Sequence, residues 1–287
     1  MALTLPASLT PSKVASFKDC ALAFRFSAID RLPEPPSPWA TKGTLVHRAL
    51  ELLFCEPPER RTTSVALGCL ERAREEMRSH PEFAGLGLDA AAQEAFAAEA
   101  EALVRRYFEL ENPAAVHPIG LELRLEARVD SLVLRGVIDR LDLDVDGGLV
   151  VTDYKTGKPP GIVHEQSRLG GVHFYAFLCE QVLGRRPSRI QLLYLSEPVA
   201  IVSEPSDQSI RGLEQRTQAI WRAIERACDR DDFRPHPSAL CDWCAFRDYC
   251  PAFGGDPALA KELAAKELAA KELAAKELAA KELAATG

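Results

Sequence analysis

The sequence predicts an α/β fold: a central mixed β-sheet flanked by helices. Three observations carry that expectation. Residues 135–158 read as two strands about a tight turn. Residues 189–195 and 199–202 add two more strands beyond a helical stretch, and amphipathic helical patterns stand before and after the set. Strand–helix–strand order following a hairpin fits a mixed sheet. The chain has 287 residues and a 47% hydrophobic share, which is enough for one sizeable core.

Taken in order, residues 9–29 predict a helix that begins near Thr10-Pro11 or Ser12, since proline is accepted in a first turn. Val14, Phe17, Leu22, Phe24 and Phe26 give it apolar faces, and Cys20 falls in its middle. Residues 33–38, PEPPSP, interrupt. A second helix is expected over 38–54, with Val46, Ala49, Leu50 and Leu53 as its buried stripe and His47 at the border. Residues 62–110 read as two helices broken over 79–88 by Pro81, Gly85 and Gly87, a helical insertion without visible chemistry. From 119 to 133 Leu121, Leu123 and Leu125 alternate with Glu122, Arg124 and Glu126, a half-buried strand. Pro159-Pro160-Gly161 opens a loop, a helix runs to about residue 183, and another spans 208–229.

The hairpin carries the chemistry. Around the turn Asp146-Gly147-Gly148, Asp139 shares a face with Leu141, Leu143 and Val145, while Asp153 and Lys155 share theirs with Leu149 and Val151. A three-residue loop pairs 145 with 149 and sets Asp139 opposite Lys155, diagonal to Asp153. A loop one residue different would part them, because a one-residue slip reverses the face. Charges on a core-facing side need partners or a metal. A buried Asp–Lys pair is the simplest account of two such groups, but not of three. Two carboxylates suit Mg²⁺ or Mn²⁺, and a lysine two residues beyond one of them can orient water or steady charge on phosphate. That combination points to phosphodiester cleavage.

A net charge of −7 excludes whole-surface attraction to nucleic acid, so any such contact must be local. The doublets Arg60-Arg61, Arg105-Arg106 and Arg185-Arg186 read as surface pairs. No apolar run is long enough to cross a membrane and the N-terminus lacks a signal-peptide pattern, so a cytoplasmic protein without membrane contact is expected. No GxxxxGK[ST] occurs, so unwinding would need a separate helicase.

Cys241, Cys244 and Cys250 form CxxCx5C, a spacing that favours one metal centre over disulfides. They are one ligand short. Cys20 completes the set only if the fold brings it there, while Cys55, Cys69, Cys179 and Cys228 read as core residues. Sulfur ligation admits structural Zn²⁺ or an iron–sulfur cluster. From residue 261 to 285 the unit KELAA repeats five times, and residues 257–287 are expected as an exposed helical tail without an apolar stripe.

The runs GVIDRLD (136–142) and VTDYKTGK (151–158) resemble the PD-(D/E)XK nuclease superfamily and, within it, the RecB-like exonucleases. The resemblance implies a restriction-endonuclease-like core over residues 1–256, holding the 62–110 insertion and the 241–251 cysteine segment. The implied activity is that of a metal-dependent DNA exonuclease acting on single strands or ends in repair or recombination. Asp139 and Asp153 would bind the metal with the carbonyl of Tyr154 and with His47, since Gly43-Thr44-Leu45-Val46-His47 resembles the family's GxxxH helix. Lys155 would position water, and Glu122 or Glu126 would match a glutamate near the family's site. Tyr175 and Arg140 would meet the substrate. The family's Gln-x-x-x-Tyr has Gly171 in place of its glutamine, so either His173 or Gln166 takes the polar role or the role is absent. Cys20 with Cys241, Cys244 and Cys250 is similar to the set that holds a [4Fe–4S] cluster in AddB and in CRISPR-associated exonucleases, a staple across the domain. A competing expectation is a non-catalytic nucleic-acid or partner-binding module. Intact Asp139, Asp153 and Lys155 favour the enzyme.

Overall fold

A computed structural model describes residues 3–260 with 262, 263, 265 and 266, and only the backbone of residues 162–170. Almost all of the KELAA tail and the side chain of Gln166 lie outside the described residues. In chain order the main elements are α1 (Pro11–Asp19), α2 (Ala21–Phe24), α3 (Pro38–Phe54), α4 (Thr63–Arg78), α5 (Pro81–Ala84) and α6 (Ala90–Leu110). Strands β1 (Pro118–Val129), β2 (Leu132–Leu143) and β3 (Leu149–Lys155) follow, then α7 (Ile162–Leu183), β4 (Arg189–Tyr194), β5 (Val199–Ser203) and α8 (Asp207–Arg230). They divide between two units, one of Pro36–Gln218 and one of Met1–Pro35 with Ala219–Gly287.

In the larger unit the prolines before Ser37 stop any preceding helix, and Ser37 Oγ accepts the Ala40 N–H at 3.4 Å to start α3. The expected stripe is the one buried: Val46, Ala49, Leu50 and Leu53 are all 0% exposed. They pack with Cys69 and Leu70 of α4 and with Leu103, Val104 and Tyr107 of α6, so the 62–110 helices close the core over α3. Tyr154, Leu193 and Leu195 join this core from the sheet side.

The sheet is mixed, as its sequence pattern predicts, with strands in sequence order. Neighbours run antiparallel except β3 and β4, which α7 joins as a parallel crossover. The hairpin departs from expectation in its loop. Leu143 pairs with Leu149 and Arg140 with Thr152, so the loop is 144–148. Asp144 causes this: its Oδ1 accepts the N–H groups of Asp146 (3.0 Å) and Gly148 (2.6 Å), and Gly147 turns the chain at φ +77°. Because the loop grew by two residues, the face of every side chain is kept. Asp139 now lies one step past the Arg140–Thr152 pair, which brings it opposite Asp153 rather than Lys155.

Helix α7 presses on β2 at Gly136, where an added Cβ would meet Leu178 Cδ1 at 2.8 Å and Tyr175 Cε1 at 3.2 Å. In the smaller unit the expected helix over 9–29 breaks at Cys20, whose backbone is extended (φ −159°, ψ 112°). Its N–H still reaches Ser16 O, and its carbonyl accepts from Phe24 N–H, so the residue itself stays hydrogen-bonded to both helices across the break. Residues 25–29 continue as a π turn. Phe26 stacks against Phe246 and Tyr249, and Arg25 pairs with Asp30 and Asp231, joining the two segments of this unit.

Gly136→Ala should cost about 1–3 kcal/mol through overpacking against Leu178 and Tyr175. A denaturant midpoint equal to the parent's would show that α7 gives way there.

Candidate metal centre

The antiparallel pairing of β2 with β3 places two aspartates face to face, and α3 brings a histidine to them. Asp139 is 9% exposed and Asp153 4%. Asp139 Oδ2 accepts the backbone N–H of Tyr154 at 2.7 Å and lies 3.5 Å from His47 Nδ1. His47 Nε2 is 3.0 Å from the Tyr154 carbonyl oxygen. Helix α3 can stand this close because Gly43 faces Thr156, whose Oγ1 is 3.3 Å from where a Cβ would be. His47, Glu122 and Asp139 each offer one ligand atom, all within 4.8 Å of one another. Glu122 reaches the group with its backbone in the left-handed region, at φ +44° within β1, which is uncommon for a non-glycine residue. The other glutamate in view, Glu126, pairs instead with Arg135 at 2.5 Å on the surface.

The charges in the group act on one another. Burial, reinforced by the charge of Asp139, raises the carboxyl of Asp153 against the pull of Lys155. Burial and Asp139 likewise raise Glu122. Burial works to lower His47, but Asp139, with Asp153 and Glu122, outweighs it and raises the imidazole. Lys155 is raised too, Asp153 overcoming its own burial. The Lys155 ammonium pairs with the buried Asp153 Oδ2, off the usual hydrogen-bond angle. A buried oxygen of this kind beside two further acids and a histidine fits a hard divalent ion.

Tyr175 of α7 donates toward Asp153 Oδ1 at 3.5 Å, at the edge of the site. His173 turns away to Ser203 Oγ, at 3.2 Å, and does not replace the expected glutamine. Arg140 is the clear correction. Its side chain is 1% exposed and lies on the opposite face of the hairpin, so it cannot touch a substrate. Its guanidinium is spent on Glu111 (2.5 and 3.0 Å), Asp142 (2.8 and 3.0 Å), Tyr154 Oη (2.5 Å) and Thr152 Oγ1 (3.2 Å). Glu111, at the end of α6, carries no sequence signal that separates it from the surface acids around it.

In the smaller unit Cys20 meets the C-terminal cysteines across 221 positions of sequence, counted from Cys20 to Cys241. Burial raises the Cys244 thiol, the Phe246 N–H opposes this, and the nearby sulfurs of Cys20, Cys241 and Cys250 raise it further. Backbone N–H groups of His236 and Ser238 point at Cys20 Sγ (3.5 Å) and Cys241 Sγ (3.3 Å). Donors aimed at sulfur suit thiolates that hold metal. Cys69, Cys179 and Cys228 are buried apart from this group, while Cys55 is exposed.

The sequence model of the PD-(D/E)XK nuclease superfamily matches residues 8–251. Among solved structures, a protein from Eubacterium rectale named "Putative exonuclease" is similar at a TM-score of 0.54 and 12% identity, over 83% of this chain and 87% of that one. That likeness shows the fold. The structure of SSO0001 aligns over 87% of this chain and 88% of that one, at 14% identity and a TM-score of 0.40. No curated protein matches the chain.

Mn²⁺ should raise the unfolding temperature of the protein, by the equivalent of about 2.7 kcal/mol when the ion stands at 100 times its dissociation constant. Glu122→Gln should raise the metal-free midpoint, because one of the crowded carboxylates is gone, and shrink the gain from Mn²⁺. A metal gain unchanged by Glu122→Gln would remove Glu122 from the site.

Proposed function

The chain belongs to the PD-(D/E)XK nuclease superfamily, and from that premise we propose that it is a metal-dependent deoxyribonuclease of the RecB-like exonuclease kind. The observation that carries this reading is the convergence of His47, Glu122 and Asp139 beside a buried Asp153 that Lys155 flanks. Asp139, Asp153, His47 and the carbonyl of Tyr154 are the groups that would hold Mg²⁺ or Mn²⁺. When bound, the ion would supply Lewis-acid stabilisation of the charge that gathers on the phosphate. Lys155, half outside the protein with its side chain 42% exposed, holds its proton and presents the ammonium to the attacking water and the phosphate. Burial of the carboxylates on the other side keeps bulk water from screening them. Tyr175 is our candidate for contact with the DNA strand.

The preferred substrate is DNA, single-stranded or with free ends, processed in repair or recombination. The chain shows no nucleotide-phosphate loop of its own, so duplex would reach it opened by a separate helicase. Among the described residues no helix is long and apolar enough to cross a membrane. We place the protein in the cytoplasm, where its eight free cysteines would stay reduced.

We assign Cys20, Cys241, Cys244 and Cys250 to a [4Fe–4S] cluster, with structural Zn²⁺ as the alternative occupant. The electrostatic influence of Cys20, Cys241 and Cys250 on Cys244 and the N–H donors on two of the sulfurs support a shared cysteine site.

End-labelled single- and double-stranded DNA, incubated with Mn²⁺ or Mg²⁺, tests the activity. Asp139→Ala and Asp153→Ala should abolish cleavage, and Lys155→Ala should slow it by about 10²–10³-fold, each with unchanged metal at the cysteines. Cleavage that survives Asp153→Ala would refute the site; binding without cleavage under either ion would instead favour a non-catalytic module.

Protein purified without air should be brown and hold about four iron atoms per chain. Cys20→Ser should lose the metal as fully as Cys244→Ser, whereas Cys69→Ser should keep it. A colourless protein with one zinc would replace the cluster by the ion, and full metal in Cys20→Ser would end the role of Cys20.

A further inference from the structure

One residue connects the two faces of the hairpin. The backbone of Tyr154 serves the site: its N–H holds Asp139 Oδ2 at 2.7 Å and its carbonyl oxygen meets His47 Nε2 at 3.0 Å. Its side chain lies on the opposite face, 3% exposed as a residue, where the hydroxyl accepts from Arg140 Nη1 at 2.5 Å. Around the ring, Tyr107 stands edge-on at 5.9 Å, and the guanidinium of Arg140 sits over the ring of Phe54 at 4.4 Å. Arg140 in turn is fixed on one side by both oxygens of Glu111 and on another by both oxygens of Asp142. Its planar fork has little freedom left.

We propose that Arg140, clamped by Glu111 and Asp142, is a positioning residue that locks the Tyr154 peptide and thereby sets the distance between the metal-holding groups on the other face. The inference rests on the metal-site reading above. A tilt of this one peptide would move two candidate ligands together, the Tyr154 carbonyl itself and Asp139 through its bond to the N–H. Stability alone is a poor reason for the network. A buried ion cluster of this size loses so much hydration that apolar residues of equal volume commonly do as well, and apolar neighbours surround it here, among them Phe54 and Leu193. What it adds is fixed geometry, the requirement of a site whose ligands must keep their places. The sites of action are separate: Arg140 touches no reacting group, and the carboxylates that would hold metal make none of its bonds.

The test is uptake of Mn²⁺ alone, read from the paramagnetic resonance of the free ion, with the signal lost in Asp153→Ala defining uptake at this site. Tyr154→Phe, which removes one oxygen and leaves the peptide in place, should weaken that uptake about tenfold, and Glu111→Gln by about 10–100-fold. Val104→Ala, in the α6 core and with no part in the hydrogen bonds of the network, is the control: its unfolding midpoint should fall while its Mn²⁺ affinity stays that of the parent. Parental affinity in both Tyr154→Phe and Glu111→Gln would overturn the proposal. So would an affinity loss in Val104→Ala in step with its lost stability, since the network would then act only as mass in the core. If Glu111→Gln fails to fold, Tyr154→Phe still decides. A parent protein with no Asp153-dependent Mn²⁺ uptake would overturn the metal-site reading itself, and this inference with it.

Discussion

Burial of like charges at the centre of the sheet is the constraint on which the rest of the structure depends. Asp139 and Asp153 face each other across two paired strands, with Glu122 close by, where water can do little to separate their charges. Such an arrangement is tolerable only with compensation from several directions. Lys155 supplies a positive charge from the open side, His47 supplies another from α3 when it is protonated, and the Tyr154 peptide donates a hydrogen bond. Each compensating group needs its own support. The glycine at 43 lets α3 approach, the proline break and Ser37 cap fix where α3 begins, and the α4–α6 helices press α3 onto the sheet.

The opposite face of the hairpin solves the same problem differently. There one arginine is surrounded by two acids and a tyrosine hydroxyl, so its charge is neutralised within the protein. Burial pulls the guanidinium down, and the surrounding Tyr154 and Glu111 more than reverse this, keeping it charged. One face is therefore complete in itself, while on the other a buried carboxylate oxygen is held by a half-exposed ammonium. A sheet whose polar groups are closed off on one side, and whose acids on the other side face a half-exposed lysine, presents that second side to a ligand.

The features legible in the sequence were those written locally. Periodicity located α3 from Pro38 to Phe54 and named its buried stripe, because an amphipathic helix with a proline start and a capping serine depends on nothing distant. The hairpin's faces were legible, but its loop length was not. Asp144 looks like an ordinary strand residue until its carboxylate is seen folding the turn, and the face assignment survived only because the loop lengthened by an even number. Cys20 was read inside one helix since nothing nearby in sequence forbids helix there; the break becomes sensible beside His236 and Cys244, more than 200 positions away. The burial of Arg140 is hidden for the same reason. Next to an aspartate in a strand it resembles a surface contact, and the partner that draws it inward, Glu111, belongs to a separate helix whose docking no local pattern reveals.

The smaller unit has a consequence for how the chain is made. It is assembled from the segment up to Pro35 and the segment from Ala219 onward, with Cys20 on the first and Cys241, Cys244 and Cys250 on the second. During synthesis the first segment must wait while about 200 residues are added, roughly 10–40 s at ~5–20 residues per second. The larger unit, contiguous in sequence, has that interval in which to collapse around α3 and the sheet. For the same interval Phe26 and the other apolar residues of the first segment lack their later partners and need shelter from aggregation. The first segment and the last can join only once synthesis has passed every element between them.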